Sequence, residues 1–238
     1  MICLTFDTDW CPELLVEHTL SLAKPVDGQL TFFCTGAYAT LKREAERVEL
    51  ALHPNFHQRG EEPDDTLTKL SSQLPEAVGL RGHSCADSHR ILALLRKHRL
   101  RYTSNTAPLF AEGLRPHEHP WGGHELPIYY MDNLDFLRLD HWDRAVAFAP
   151  EVIERAVKQP GLFVFDFHPI HLTLNTPSQG YYEANKDRYQ DAPALLERTH
   201  AGRGTRTFFL ELVDAMRRAA IPSVSMSEAL DTLAPRRR

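Results

Sequence analysis

The chain has 238 residues, of which 42% are hydrophobic and 25% are charged, proportions that are ordinary for a globular protein and exclude a disordered chain. Its net charge of −5 gives no general attraction to nucleic acid or to an acidic membrane. No run approaches the ~20 apolar residues that a membrane-spanning helix needs. We therefore expect one globular domain over residues 1–238, with no nucleic-acid partner and no membrane span.

Hydrophobic patterns alternate between strands and helices along the chain. Short apolar runs predict strands at residues 2–7, 30–35, 48–53, 77–82, 101–104, 126–131, 162–168 and 222–226. Helical spacing predicts helices at residues 12–24, 37–47, 64–73, 87–99, 143–158 and 206–220. Such alternation predicts an α/β fold with a parallel sheet, and this number of strands suits a closed barrel.

A long polar segment interrupts this alternation towards the end of the chain. Residues 173–205 exceed ordinary loop length and include Tyr181, Tyr182 and Tyr189. Three interpretations remain open for this segment: a lid over a site, a disordered excursion or a contact with another subunit.

The cysteines and the start of the chain bear on the redox compartment. Cys3, Cys11, Cys34 and Cys85 form no Cys-x-x-Cys pair, and the sequence passes from Met1 directly into an apolar run with no secretory pattern. Both observations favour a cytoplasmic protein whose cysteines stay reduced.

Two acidic side chains stand at the end of the first predicted strand. Asp7 and Asp9 flank Thr8, and alternate residues of an extended strand point to the same face. One carboxylate can then bind a cation while the other accepts a proton. The ordinary alternative is a helix cap or a loop anchor.

Two histidines follow the third predicted strand. His53 and His57 are four residues apart, a spacing that stacks both rings on one side of a helical turn. With one aspartate they give three ligands for a divalent cation and leave a coordination position for water, whose pKa falls on binding. Zinc is named on base rates, and Fe²⁺, Co²⁺, Ni²⁺ and Mn²⁺ also accept such ligands. Histidines at this spacing are otherwise surface or core residues, but their placement beside the aspartates favours a metal-assisted hydrolase.

A second ionisable pair lies on the predicted strand at residues 162–168. Asp166 and His168 alternate with phenylalanines and share one face. A carboxylate beside an imidazole raises the pKa of the ring and orients it, as a general acid requires. The alternative is a buried pair whose two side chains only satisfy each other's hydrogen bonds. Asp132 competes with Asp166 for this orienting role, and His171 is either a neighbour of His168 or a substrate contact.

Five motifs occur in a specific order along the chain. They are Leu4-Thr-Phe-Asp-Thr-Asp9, Thr31-Phe-Phe33, His53-x-x-x-His57, Gly79-Leu-Arg81-Gly-His-Ser84 and Leu162-Phe-Val-Phe-Asp-Phe-His168-Pro-Ile-His171. In this order they resemble the polysaccharide deacetylase family, also called carbohydrate esterase family 4 or the NodB homology domain. The residue inserted between the two aspartates, Trp10 and the His-Pro-Asn-Phe element are similar to a subgroup found with bacterial O-antigen and surface-glycan genes.

This resemblance implies a distorted (β/α)7 barrel and a role for each matched residue. Asp9, His53 and His57 would bind the metal, and Asp7 would be the general base, held ionised by Arg81. The resemblance also implies a general acid, His168, which would protonate the departing amine.

The chain departs from the family pattern at three places. Thr8 separates two aspartates that the family has adjacent, so the base and ligand roles of Asp7 and Asp9 are open to exchange. The proline that normally follows the arginine is missing after Arg81, and residues 125–132 occupy the place of the fourth motif without its tryptophan. Further contacts to the catalytic residues or the substrate are predicted for Asp166, His171, Asp132 and His83.

The resemblance implies removal of an N-acetyl group from an acetamido sugar, and a cytoplasmic location points to a nucleotide sugar or a lipid-linked saccharide as substrate. A competing class shares the opening motif, since Asp7 and Thr35 also resemble the nucleophile and the phosphate-binding residue of haloacid dehalogenase-like phosphatases. That alternative leaves His53 and His57 without a role. A third hypothesis is a non-catalytic sugar-binding relative, which the missing fourth motif favours. The sequence determines neither the sugar nor the oligomeric state.

Overall fold

The computed structural model describes residues 1–141 and 146–234. Within these ranges one sheet contains the strands β1 (Ile2–Asp7), β2 (Leu30–Cys34), β3 (Val48–Leu52), β4 (Gly79–Leu80), β5 (Tyr102–Thr103), β6 (His117–Glu118), β7 (His124–Glu125), β8 (Ile128–Met131) and β9 (Phe163–Phe167). The strands predicted up to residue 168 are confirmed in position, whereas the short strands β6 and β7 lie outside the predictions.

The strand order shows how the sheet curls. It runs β6-β7-β5-β4-β3-β2-β1-β9-β8, and neighbouring strands are parallel except for β6 and β7. Because β7 and β8 are separated only by Leu126 and Pro127, one extended segment pairs with β5 at its start and with β9 at its end. If residues 124–131 are counted as one position beside β1 to β5 and β9, the barrel has seven positions. The predicted distorted (β/α)7 barrel is thus confirmed.

Helices connect the strands of the sheet. They are α1 (Glu13–Leu22), α2 (Ala39–Arg43), α3 (Pro63–Gln73), α4 (His89–Leu92), α5 (Asp132–His141), α6 (Pro150–Lys158), α7 (Pro169–Leu174), α8 (Gln179–Glu183), α9 (Ala192–Glu197), α10 (Thr205–Arg218) and α11 (Met226–Leu233), with short 3₁₀ helices at His83–Cys85 and Lys186–Arg188. The helices predicted at 37–47 and 87–99 are shorter than expected, and residues 143–145 of the helix predicted at 143–158 lie outside the described residues. None of the helices in the described ranges has the length and apolarity needed to cross a membrane.

Strand alternation divides the core into two layers. On β1, Ile2, Leu4 and Phe6 pack in the outer layer against the helices. The alternate residue Cys3 lies in the inner layer with Met226 of α11. The inner layer is therefore apolar where α11 packs, and it becomes polar towards the carboxyl ends of the strands, where buried ionisable side chains begin.

The strand predicted at residues 222–226 is wrong. Within the described residues this segment contributes only Ser223, which forms isolated bridges with Ile2 and Gly28. Ser225 instead begins α11, because its side-chain oxygen accepts the backbone N–H of Glu228 at 3.2 Å. This cap satisfies a free N–H group of the helix and ends the extended conformation.

The polar segment at residues 173–205 folds into short helices. Two of them begin at side-chain caps, Ser178 for α8 and Asp191 for α9. The side chain of Asn175, which ends α7 in a left-handed conformation, donates to His200 O and Gly202 O at 2.9 and 2.7 Å. These bonds join the end of the segment to its start at the C-terminus of α7.

Candidate active site

Arg81 lies at the centre of the polar inner layer. Its side chain is fully buried, and its guanidinium carbon stacks 4.0 Å from the centre of the Phe33 ring. Arg81 Nη1 donates to Asp7 Oδ1 at 2.8 Å and to Asp166 Oδ1 at 2.5 Å, and Nε donates to Ser104 O at 2.9 Å. These charge-assisted bonds fix the position of the Asp7 carboxylate.

Asp166, the second carboxyl group that contacts Arg81, has a raised pKa. Burial raises the pKa of Asp166 to about 8 against the opposing effect of Arg81, and the neighbouring charge of Asp7 adds to the rise. Near neutral pH the protonated form of Asp166 is therefore favoured. The guanidinium of Arg81 then forms its ion pair with the Asp7 carboxylate.

Asp9 reaches the site through a tight turn after β1. Asp9 and Trp10 both adopt left-handed backbone conformations, with φ of 42° and 58°. Thr8 anchors the turn, because its Oγ1 accepts the backbone N–H of Thr35 at 3.0 Å. The prediction that Asp7 and Asp9 converge by strand alternation is thus wrong, since β1 ends at Asp7. Left-handed residues other than glycine are unfavourable and cluster at functional sites.

Three side chains from separate loops converge on one point. Asp9, His53 and His83 each place a ligand atom within 4.8 Å of the others. Asp9 Oδ1 lies 2.9 Å from His53 Nε2 and 3.0 Å from His83 Nδ1. Asp7 stands beside this cluster, with Oδ2 3.7 Å from His53 Nε2.

The orientation of His53 fits a cation ligand. Its Nδ1 lies 2.7 Å from Arg81 O, and because a carbonyl oxygen only accepts, Nδ1 carries a proton; in the neutral ring the lone pair is then on Nε2 and faces Asp9. A lone pair facing a carboxylate requires a proton or a cation between them. Histidine ligands of metals commonly donate their other N–H to a backbone carbonyl in this way.

The charges around the cluster also favour a bound cation. Burial lowers the pKa of His53, but Asp7 and Asp9 raise it above its ordinary value. Burial raises the pKa of Asp9, but the hydrogen bonds from His53 and His83 hold it well below its ordinary value. A field that favours a proton on His53 Nε2 also favours a divalent cation there, so this donor set fits a metal.

His57 lies outside this cluster, and its prediction as a ligand is corrected. Residues 53–55 belong to neither a helix nor a strand and residues 56–57 form a turn, so the two rings do not stack on a helix. Pro54 disfavours a helical conformation for the preceding His53. The side chain of His57 is exposed, and its place near Asp9 is taken by His83, which the sequence assigned to a surrounding position.

Gly82 allows the chain to pass close to Ala86 between the buried Arg81 and the 3₁₀ helix that begins at His83. A Cβ atom on Gly82 would lie 2.4 Å from Ala86 O, a distance that no side chain tolerates. The chain therefore turns at this glycine into the 3₁₀ helix that begins at His83, and Ser84 within it is left-handed with φ of 57°.

His168 approaches the cluster from β9. Its Nδ1 lies 2.7 Å from Asp132 Oδ1, and its backbone N–H donates to Asp132 Oδ2 at 2.9 Å. Burial lowers the pKa of His168, but Asp132 raises it well above its ordinary value. Of the two predicted partners, Asp132 orients the ring and Asp166 does not, because Asp166 is bound to Arg81. His168 Nε2 is left 3.7 Å from Asp9 Oδ2.

His171 lies behind this pair. Its ring centre is 5.4 Å from that of His168, and its Nδ1 is 3.1 Å from Thr176 Oγ1. Burial lowers the pKa of His171 to about 4, so the ring is neutral near pH 7. Asp132, His168 and His171 also form a group with the spacing of metal ligands, but neither Asp132 nor His171 lines the cavity described next.

A cavity of about 410 Å³ opens on the cluster. Its walls include Asp7, Asp9, His53, His83 and His168. The segment at residues 173–205 reaches the same place, because the Tyr189 hydroxyl donates to Asp9 O at 2.7 Å. The groups of the cluster therefore face space that a small ligand can enter.

The loop after β5 carries site residues that the sequence analysis missed. Glu125 is fully buried, and its Oε1 accepts the backbone N–H groups of Asn105 at 2.8 Å and of Thr106 at 2.7 Å. Asn105 lines the cavity, and its Oδ1 accepts the Gly82 N–H at 2.8 Å. The sequence offered one signal for these residues: Glu125 is the first residue of the segment 125–132, which stands at the position of the fourth motif.

Comparison with known proteins gave matches both in sequence and in fold. The sequence model of a family described as WbmS-like polysaccharide deacetylase matches residues 4–186. A Bordetella bronchiseptica structure, described as a polysaccharide deacetylase involved in O-antigen biosynthesis, is 27% identical with a TM-score of 0.77, covering 90% of this chain and 89% of that one. A search among curated proteins gave no match.

Two more distant structures share the fold alone. A Mycobacterium smegmatis protein described as a polysaccharide deacetylase is 17% identical with a TM-score of 0.60, covering 100% of this chain and 92% of that one. The 4-alpha-glucanotransferase of Thermococcus litoralis is 13% identical with a TM-score of 0.58, covering 99% of this chain and 38% of that one.

Proposed function

The chain belongs to the WbmS-like polysaccharide deacetylase family, and we propose that it is a metal-dependent hydrolase that removes an N-acetyl group from an acetamido sugar. The observation that carries the proposal is the convergence of Asp9, His53 and His83 at a cavity that Asp7 and His168 also line. The relative from Bordetella bronchiseptica suggests a surface glycan as the context.

Asp9, His53 and His83 would hold the cation, with His83 in place of His57. One carboxylate and two imidazoles suit Zn²⁺ and also accept Fe²⁺, Co²⁺, Ni²⁺ or Mn²⁺. When bound, the cation supplies Lewis acidity, which polarises the acyl carbonyl and makes a water molecule more acidic.

Asp7 is the general base of the proposed reaction. It is fixed by Arg81 on one oxygen, while its other oxygen lies beside the ligand cluster. Asp9 instead contacts both histidines. This arrangement favours Asp7 as the base and Asp9 as the ligand, although the inserted Thr8 left the two roles open in the sequence.

His168 is the general acid. Water adds to the acyl carbon as Asp7 takes one of its protons, the carbon–nitrogen bond then breaks, and His168 gives its Nε2 proton to the departing nitrogen. The products are acetate and the free amine. Asp132 supports this step, because it holds the ring by Nδ1 and keeps it protonated.

The alternatives from the sequence have less support. Family membership argues against a haloacid dehalogenase-like phosphatase, and Thr35 Oγ1 accepts the Trp10 N–H at 3.0 Å instead of lining the cavity. A non-catalytic sugar-binding relative would not need Asp132 to keep His168 charged beside the ligand cluster.

The test is acetate release from purified protein reconstituted with Zn²⁺, and separately with the other four metals, against N-acetylated nucleotide sugars and lipid-linked saccharides. We expect the wild-type protein to release acetate. The substitutions Asp9→Asn and His53→Ala should abolish the release, and a chelator that removes the metal should stop it. Unchanged release from the Asp9→Asn variant would refute the assignment. Sugar binding without acetate release under any metal would support the non-catalytic alternative.

A further inference from the structure

Asn105 lines the cavity and carries a side-chain hydrogen-bond donor that no described residue uses. The residue follows β5, is 5% exposed and lines the cavity together with the ligand cluster. Its Oδ1 is taken by the Gly82 N–H. Its Nδ2 is buried and has no hydrogen-bond partner among the described residues. A buried amide donor without a partner is unfavourable and rare, so it calls for a physical reason.

Asn133 lines the same cavity and carries an acceptor that no described residue uses. It is the second residue of α5 and lines the cavity wall. Its Oδ1 is buried and also lacks a hydrogen-bond partner among residues 1–141 and 146–234. Its backbone N–H donates to Asp132 Oδ1 at 2.6 Å, so this acceptor is one residue away from the carboxylate that orients His168.

The donor is held in place from two sides. Glu125 Oε1 accepts the backbone N–H groups of Asn105 and Thr106 and the Thr106 hydroxyl, at 2.7 to 2.8 Å. On the other side, Arg81 Nε donates to Ser104 O at 2.9 Å. A donor fixed in this way does not have to reorganise when a ligand arrives.

We propose that Asn105 and Asn133 together recognise the secondary amide of the substrate. Asn105 Nδ2 donates to the acyl oxygen, and Asn133 Oδ1 accepts the amide N–H. One free donor and one free acceptor match an amide, whereas an O-acyl ester has no N–H to offer Asn133. The inference rests on the proposed function and specifies it: the site selects N-acyl over O-acyl groups. The bond to Asn133 also holds the amide nitrogen near His168, which protonates it.

The role of Asn105 is tested with Asn105→Asp, which retains Oδ1 for the Gly82 N–H and removes the donor. We expect kcat to fall about 100-fold for both N-acetylglucosamine and 2-O-acetylglucose, as for the loss of one donor to a developing oxyanion, with the metal content unchanged. The matched control is Asn175→Asp, whose Nδ2 makes two hydrogen bonds away from the cavity. It should lower Tm more than Asn105→Asp does and leave kcat unchanged.

The role of Asn133 is tested by the ratio of the two rates. N-acetylglucosamine and 2-O-acetylglucose carry the acetyl group on the same carbon and differ in the N–H. We expect Asn133→Leu to lower the ratio of amide to ester hydrolysis about tenfold, the loss of one neutral hydrogen bond. Asn133→Asp retains Oδ1 and should retain the ratio.

A direct measurement does not depend on turnover. The side-chain ¹⁵N–H₂ resonance of Asn105 in the wild-type protein should shift when N-acetylglucosamine is added and not when glucosamine is added. If acetate is released but Asn105→Asp matches the wild type, or Asn133→Leu keeps the ratio, the inference fails alone. If the wild type releases no acetate and this resonance does not move, the inference and the proposed function fail together.

Discussion

His168 and Asp132 are joined by two hydrogen bonds, one to the ring Nδ1 at 2.7 Å and one to the backbone N–H at 2.9 Å. The first bond orients the ring and the second fixes the end of β9 against the start of α5. Asp166, which lies on β9 two residues before His168, is bound to Arg81 instead. The ring that faces the cavity is therefore controlled by a residue 36 positions away in the chain.

Asp132→Asn should move the pH dependence of acetate release. Burial favours the neutral form of His168 and Asp132 favours the charged form, with the net result that the pKa lies well above its ordinary value. A general acid works while it is protonated, so activity is lost as the pH rises through this pKa. Removal of the carboxylate lowers the pKa, and the alkaline limb of the kcat profile should move to lower pH.

The control for this experiment is the wild-type profile measured at the same metal occupancy. An alkaline limb that stays in place in Asp132→Asn would show that His168 is not the acid, or that Asp132 does not set its pKa.

His83→Ala and His57→Ala form a matched pair that tests the ligand assignment. His83 contacts Asp9 at 3.0 Å, whereas His57 is exposed in a turn. We expect His83→Ala to weaken zinc affinity at least ~10–100-fold, no less than the loss of an outer partner of a metal ligand. His57→Ala should bind zinc like the wild type. Competition with a fluorescent chelator measures both, and the reverse ranking would restore the prediction made from the sequence.

Arg81→Leu should strongly destabilise the fold. The substitution leaves Asp7 and Asp166 in a buried site without their guanidinium, and removing one partner of a buried ion pair costs about 3–5 kcal/mol. Urea unfolding monitored by circular dichroism measures this loss of free energy. In the Asp166→Leu background the cost should be smaller, because that background has already lost the hydrogen bond between Arg81 Nη1 and the carboxyl group of residue 166. Equal costs in the two backgrounds would mean that Asp166 does not interact with Arg81.

Tyr189→Phe tests whether the segment at residues 173–205 supports the site. The hydroxyl donates to Asp9 O, within the strained turn that positions the Asp9 side chain. The loss of one such hydrogen bond corresponds to roughly a 2–10-fold change in an equilibrium constant, and we expect zinc affinity to fall by about this factor. Tyr181→Phe is the control, because the Tyr181 hydroxyl donates to Arg198 O at 2.5 Å within the segment. Equal zinc affinity in both variants would leave the segment without a role at the cluster.

The sequence alone determines which side chains arrive at the carboxyl end of the barrel. Asp7, His53, Arg81 and His168 each end or directly follow a buried parallel strand, and the alternation of residues along a strand sends them to the inner layer. The apolar runs that place these strands are local patterns, so they can be read without a structure. The barrel itself was predictable for the same reason.

Only the tertiary structure decides which of these groups pair. Neither the choice of His83 over His57 nor that of Asp132 over Asp166 follows from spacing, because His83 and Asp132 each begin a helix in a distant part of the chain. The left-handed turn at Asp9 and the closure of the sheet by residues 124–131 set those distances. Contacts between such distant segments arise when the whole core packs, and no local pattern records them.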